Sequence, residues 1–138
     1  MRIRRMVFGM LTVVLALVIL VAIFTNRTSQ LTDIVSEDFL VSQPSIQIEK
    51  VNGTEHTTLD ISKSSQQEIL SLLTQLNIRK TDTTYRLSEA DYRITSKTNR
   101  DFELYLFLDE NILVINDHKK GYLVTDETFM ERVEALIQ

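Results

Sequence analysis

The chain has 138 residues, a formal net charge of −4, three glycines and no cysteine. Without cysteine there is neither a disulfide nor a residue for lipid attachment at the membrane, so stability and anchoring must come from the polypeptide itself. All 19 acidic residues and 12 of the 15 basic ones lie beyond residue 24, where the formal charge is therefore −7, a sign that argues against nucleic acid, anionic lipid or an anionic wall polymer as partner.

Arg2, Arg4 and Arg5 precede an uncharged run of nineteen residues, Met6 to Phe24, in which only Gly9 and Thr12 fall outside the apolar set. As a helix this run reaches about 28 Å, close to the hydrocarbon thickness of a bilayer, and lipid demands that every backbone amide be satisfied within the segment. Residues 6–24 are therefore expected as a transmembrane helix behind a cytoplasmic tip of residues 1–5. The arginines before the span, against Arg27 alone after it, place the amino terminus in the cytoplasm and the rest of the chain outside. Retention is favoured over cleavage, because the apolar core is long and Phe24 stands where a signal peptidase requires a small residue. Thr12 and Ala16 form a small-xxx-small pair of the kind that lets helices approach, a pattern frequent by chance.

The chain beyond residue 24 suffices for one compact domain, not two. Residues 25–44 contain the only proline, Pro44, and no sustained period. They read as a stalk, with at most a short helical stretch over Leu31 to Phe39. The folded domain is expected over residues 45–138. Ile46 and Ile48 alternate with polar neighbours, Asn52-Gly53 supplies a tight turn, and Thr57, Leu59 and Ile61 alternate on the return. A turn at Asn52-Gly53 pairs Val51 with Thr54, Ile48 with Thr57, and Glu49 with His56 on the polar face.

Ser65-Gln66-Gln67-Glu68 matches a capping box, and Ile69, Leu72, Leu73 and Leu76 come after it at helical spacing. Thr81 to Asp91 reads as a polar connection with Tyr85 and Leu87 as pegs. The period then becomes two through Tyr92 and Ile94, Phe102 to Leu108, Ile112 and Val114, and Tyr122 and Val124. Short connections make these four runs an antiparallel meander, and Tyr105 and Phe107 mark the second run as central and covered on both faces. A last helix, capped at Thr125 or Asp126, carries Phe129, Val133, Leu136 and Ile137 on its buried side. The expected fold is α+β: a transmembrane helix, then an antiparallel sheet of a hairpin plus a four-stranded meander, with two helices on one face.

The run from Ile46 to Ile137, with its Asn-Gly turn, the capped helix, Tyr92-Arg93-Ile94, Glu103-Leu104-Tyr105-Leu106 and Gly121-Tyr122-Leu123-Val124, resembles small membrane-tethered or lipoprotein-like extracytoplasmic domains of Gram-positive bacteria. The resemblance implies fold and cell-surface location, and it carries over no catalytic residue.

Chemistry has few candidates. His56 reads as the cross-strand partner of Glu49. His118 lies beside Lys119 and Lys120, whose ammonium groups disfavour a metal. Asn116 to Glu127 places Gly121 and Glu127 at the sixth and twelfth positions of a calcium loop, but Lys120 occupies the fifth and cannot supply an oxygen. Ser62, Ser64, Ser65 and Ser71 suit capping and solvation, and no G-x-S-x-G or phosphate-cradling glycine loop occurs. Asp109-Glu110 and Asp126-Glu127 are adjacent acids suited to a turn and a helix start. No cofactor or metal is called for. The leading expectation is an anchored, non-catalytic module that binds another envelope protein through the open sheet face, with Tyr92, Tyr105 and Tyr122 as its surface aromatics. The alternative is a carboxylate-based enzyme or small-ligand binder acting on envelope material, which requires two acids facing one cleft with separated pKa values.

Overall fold

A computed structural model describes residues 2–25, 28–115 and 120–138. Helix α1 (Arg2–Thr25) is followed by a short strand β1 (Ser29–Gln30), a 3-10 turn (Leu31–Asp33) and a short helix α2 (Glu37–Val41). Strands β2 (Ile46–Asn52) and β3 (Glu55–Thr58) form a hairpin, and helix α3 (Lys63–Thr74) leads to β4 (Asn77–Thr84). After a 3-10 turn (Leu87–Glu89) come β5 (Tyr92–Ser96), β6 (Glu103–Phe107), β7 (Ile112–Ile115), β8 (Lys120–Val124) and helix α4 (Phe129–Ile137). The eight strands make one antiparallel sheet in the order β1-β4-β8-β7-β6-β5-β2-β3. The α+β architecture and the β5 to β8 meander match the sequence expectation, with β6 inside the sheet.

Helices α3 and α4 cover one face. Ile69, Leu70 and Leu73 of α3 and Phe129, Met130 and Val133 of α4 pack on Ile46, Ile48, Ile94, Leu104, Leu106, Leu113 and Val124 of the sheet. Several of these leucines and isoleucines have no solvent exposure, and each such burial contributes roughly 1.5–3 kcal/mol relative to an exposed side chain. The opposite face carries a smaller core of Val51, Ala90, Tyr105, Phe107, Ile112 and Val114. It is roofed by Tyr85 and Leu87, which act as the pegs expected in the β4–β5 connection. Tyr85 stacks at a tilt on Phe107, with ring centroids 5.3 Å apart.

Four expectations are corrected. The ordered fold starts before residue 45: Ser29 and Gln30 pair with Ile78 and Asn77, and Leu31 and Leu40 sit in the main core at 0% and 1% exposure. The stretch looked like a stalk because its apolar residues serve two short turns and follow no single period. Residues Asn77 to Thr84, placed partly in a polar connection, form β4. Its polarity reflects a strand near the sheet edge, mostly exposed beyond Ile78, with an irregularity between Lys80 and Thr84.

The cap of α3 is Ser62, whose hydroxyl accepts from the Ser65 backbone N–H at 3.2 Å, three residues ahead of the expected box. Ile69, Leu73 and Leu76 are buried as expected, but Leu70 takes the place of Leu72, which is only partly covered. Finally, the β2–β3 turn is Gly53-Thr54, so Asn52 pairs with Glu55 and Lys50 with Thr57. Gly53 has φ +65°, and glycine at the first central position suits a type II′ turn as well as Asn-Gly suits type I′. The register moves by two residues, which leaves every side chain on its expected face.

Candidate functional site

Ladder pairing brings Glu49, Arg93 and Tyr105 side by side across β2, β5 and β6 on the face away from the helices. Residues two positions along these strands and β3 complete a polar field on the half of that face that Tyr85 and Leu87 leave open. Arg93 is its centre: Nη1 donates to Glu49 Oε2 at 3.0 Å and Nε donates to Glu103 Oε1 at 3.1 Å. His56 Nδ1 lies 3.1 Å from Glu49 Oε2, and Gln47 Nε2 donates to Glu49 Oε1 at 3.0 Å and to Thr58 Oγ1 at 3.1 Å. The Tyr105 hydroxyl donates to Glu103, and the Arg93 guanidinium lies 5.9 Å from the Tyr105 ring centroid, within cation–π range.

The electrostatics follow from this geometry. Burial opposes ionisation of Glu103, yet hydrogen bonds from Tyr105 and Arg93 and the Arg93 charge outweigh it and hold the carboxyl below its usual range. Burial, reinforced by the hydrogen bond to Glu103, pushes the Tyr105 phenol up to about 12. Burial disfavours the Arg93 charge, but its bonds to Glu49 and Glu103 raise it further. The Arg93, Glu49 and Glu103 side chains keep 26%, 12% and 22% exposure, so the network is fixed but reachable. Glu49 and Glu103 are the two acids that converge on one cation. Glu103 is tuned toward the ionised form, the opposite of what a general acid needs.

Of the residues expected to matter, His56 does bond to Glu49, though diagonally, because its ladder partner is Val51. The three tyrosines do not form one surface. Tyr92 and Tyr122 lie on the helix-bearing face and Tyr105 on the other. Tyr92 and Tyr105 are only 8% and 7% exposed, because Tyr92 belongs to the main core and Tyr105 to the second. His118 and the first four residues of the calcium-like segment lie outside the described residues, whereas Lys120 to Val124 form strand β8 as the period indicated. Asp126 accepts from the Thr128 backbone N–H at 2.9 Å and is held low by that bond, a structural use of the acid. Among the described residues no group of three or more His, Asp or Glu side chains could hold a metal.

Sequence reasoning missed Arg93 and Glu103. Their signal was opposite charge on β5 and β6, adjacent strands of the expected meander; only the third member, Glu49, needs β2 to be known as the neighbour of β5.

Helix α1 contains a segment, Ile3–Ala22, of mean hydropathy 2.5 that is long and apolar enough to cross a membrane. Every side chain of this segment is exposed. Its one hydroxyl, Thr12 Oγ1, donates to the Phe8 carbonyl at 2.8 Å, so the uncharged stretch beyond Arg5 turns no unsatisfied side-chain donor toward an apolar solvent. No protein-family model matches the chain, and no curated protein or solved structure shows significant similarity to it.

Proposed function

We propose that the chain is a single-pass membrane protein whose amino terminus is cytoplasmic and whose extracytoplasmic α+β domain binds another envelope protein, acting as an accessory subunit without chemistry of its own. The observation that carries this reading is the separation of two apolar systems: the Ile3–Ala22 segment of α1 is exposed, while the rest of the chain closes its own core on both faces of the sheet. A helix of this composition needs lipid, and a domain so closed does not need the helix. The docking surface in this reading is the polar field around Arg93, where a pre-ordered array of Glu49, Glu103, His56 and Gln47 offers fixed donors and acceptors at little entropic cost.

Photo-crosslinkers placed at Thr58 and Thr95 in intact cells test the reading, with Glu131 on the exposed side of α4 as reference. The expected result is one discrete adduct from the sheet positions that is absent at Glu131 and lost in Arg93→Glu. Equal adducts from all three positions, or none, would overturn the binding surface.

A further inference from the structure

Outside α1, two large apolar side chains stand exposed among the described residues, Ile34 at 42% and Val41 at 61%. Both belong to the collar made by the 3-10 turn Leu31–Asp33 and α2. The collar's packing is already supplied by other residues: Leu31 and Leu40 are buried, Val35 packs beside them, and Phe39 stacks on Phe102 with centroids 5.0 Å apart. The domain's core therefore closes without burying Ile34 or Val41.

Helix α1 ends at Thr25 and β1 opens at Ser29, so three residues connect them and covalent geometry limits the separation to about 14 Å. β1 is held to β4 by the Ser29↔Ile78 and Gln30↔Asn77 pairs, and the Leu31 N–H donates to the Leu76 carbonyl at 2.9 Å. Whatever surface holds the end of α1 must lie within that reach of the sheet edge from which the collar starts.

We propose that the collar is a second membrane contact, with Ile34 and Val41 seated at the headgroup–acyl boundary of the leaflet from which α1 emerges, fixing how the domain stands on the bilayer. This rests on the reading of α1 as a span. Asp33, Glu37 and Asp38 flank the two side chains, so the contact suits zwitterionic headgroups and weakens as anionic lipid is added.

The absence of cysteine allows single-cysteine variants of the full chain at Leu15, Ile34, Val41 and, at the hairpin end of β2, Asn52. Each is labelled with an environment-sensitive fluorophore in phosphatidylcholine vesicles that contain quencher-bearing lipids of shallow or deep position. The expected result is deep quenching at Leu15, shallow quenching at Ile34 and Val41 several-fold above that at Asn52, and a decline at Ile34 and Val41 when phosphatidylglycerol is mixed in. Quenching at Leu15 with Ile34 and Val41 no different from Asn52 would overturn the collar contact and leave the anchor standing. No quenching at Leu15 would overturn both. Shielding at Ile34 and Val41 that vanishes when the protein is diluted over more vesicles would overturn the collar contact and assign the face to a second copy of the chain.

Discussion

Arg93 and Glu49 are ladder partners on β5 and β2, and the Arg93 Nη1 donates to Glu49 Oε2 at 3.0 Å. Arg93 also reaches Glu103 on the strand beyond, so one cation ties three strands together on a face that has no helix to cover it. Replacing Arg93 by Met keeps the stem and leaves two half-covered carboxylates without their cation. A loss of about 1–3 kcal/mol is expected, less than for a fully buried pair because all three side chains are partly solvated. Denaturant unfolding of the Ser29 to Gln138 fragment measures it, and a change within about 0.5 kcal/mol, the size usual for an unconstrained surface position, would mark the network as an ordinary surface pairing.

The same network contributes to both limbs of the pH–stability curve. The Tyr105 phenol is raised to about 12 whereas an unfolded tyrosine ionises near 10, so its contribution is complete below about pH 10 and is lost as pH climbs toward 12. Glu103 is shifted the other way, so its contribution is present above the unfolded value of about 4.3 and is lost as pH falls below it. Tyr105→Phe should flatten the alkaline limb and Glu103→Gln the acid limb. The alkaline limb persists in part, because burial raises Tyr92 as well, aided by Glu134 and Asp91. Unfolding midpoints measured across pH check this, and limbs unchanged in both variants would contradict it.

Gly121 touches the roof of the second core. A Cβ at this position would lie 2.5 Å from the Tyr85 ring and 2.7 Å from Ile112 Cγ2, while Thr81 Oγ1 donates to the Gly121 carbonyl at 2.7 Å from the neighbouring strand. Gly121→Ala should therefore push Tyr85 off Phe107 and cost about 1–3 kcal/mol, the range of an overpacked core. Combining it with Tyr85→Ala should cost less than the sum of the two single changes, and strict additivity in a double-mutant cycle would show that the ring is not the obstacle.

Leu31→Ala separates the observed fold from a stalk. A leucine with no exposure in the main core should cost about 2–5 kcal/mol when truncated, as should Leu106→Ala, whereas the half-covered Leu72→Ala should cost clearly less than either. Leu31→Ala with no measurable effect on the unfolding midpoint would return residues 25–44 to the role of a linker.

These contrasts separate the parts of the molecule that were readable in advance from those that were not. The meander was legible because β5 to β8 are joined by short connections, so sequence neighbours are spatial neighbours and a period of two decides the rest. The β2–β5 and β1–β4 pairings were not, since nothing local in Ile46 to Asn52 or Ser29-Gln30 encodes a partner some forty or fifty residues away. Only the Glu49–Arg93 contact of the polar field depends on the first of those pairings; Arg93 and Glu103 lie on adjacent strands of the meander, so their opposite charges were within reach of the sequence. Burial of Tyr92 was not readable, because an alternating tyrosine looks the same on an open face and a covered one, whereas burial of Tyr105 was already implied by its place beside Phe107 on a strand covered on both faces. The cap of α3 was misplaced because Ser62, Ser64 and Ser65 are chemically equivalent caps, and only the preceding chain direction selects the first.

Alkaline carbonate washing followed by vesicle flotation tests the central claim, that α1 is a membrane anchor for an otherwise self-contained domain. The full chain should float with the lipid after the wash, while the Ser29 to Gln138 fragment, folded by the same thermal transition, should stay in the load because the collar contact alone is reversible. Release of the full chain by carbonate, or a fragment that floats equally well or fails to fold without α1, would contradict it.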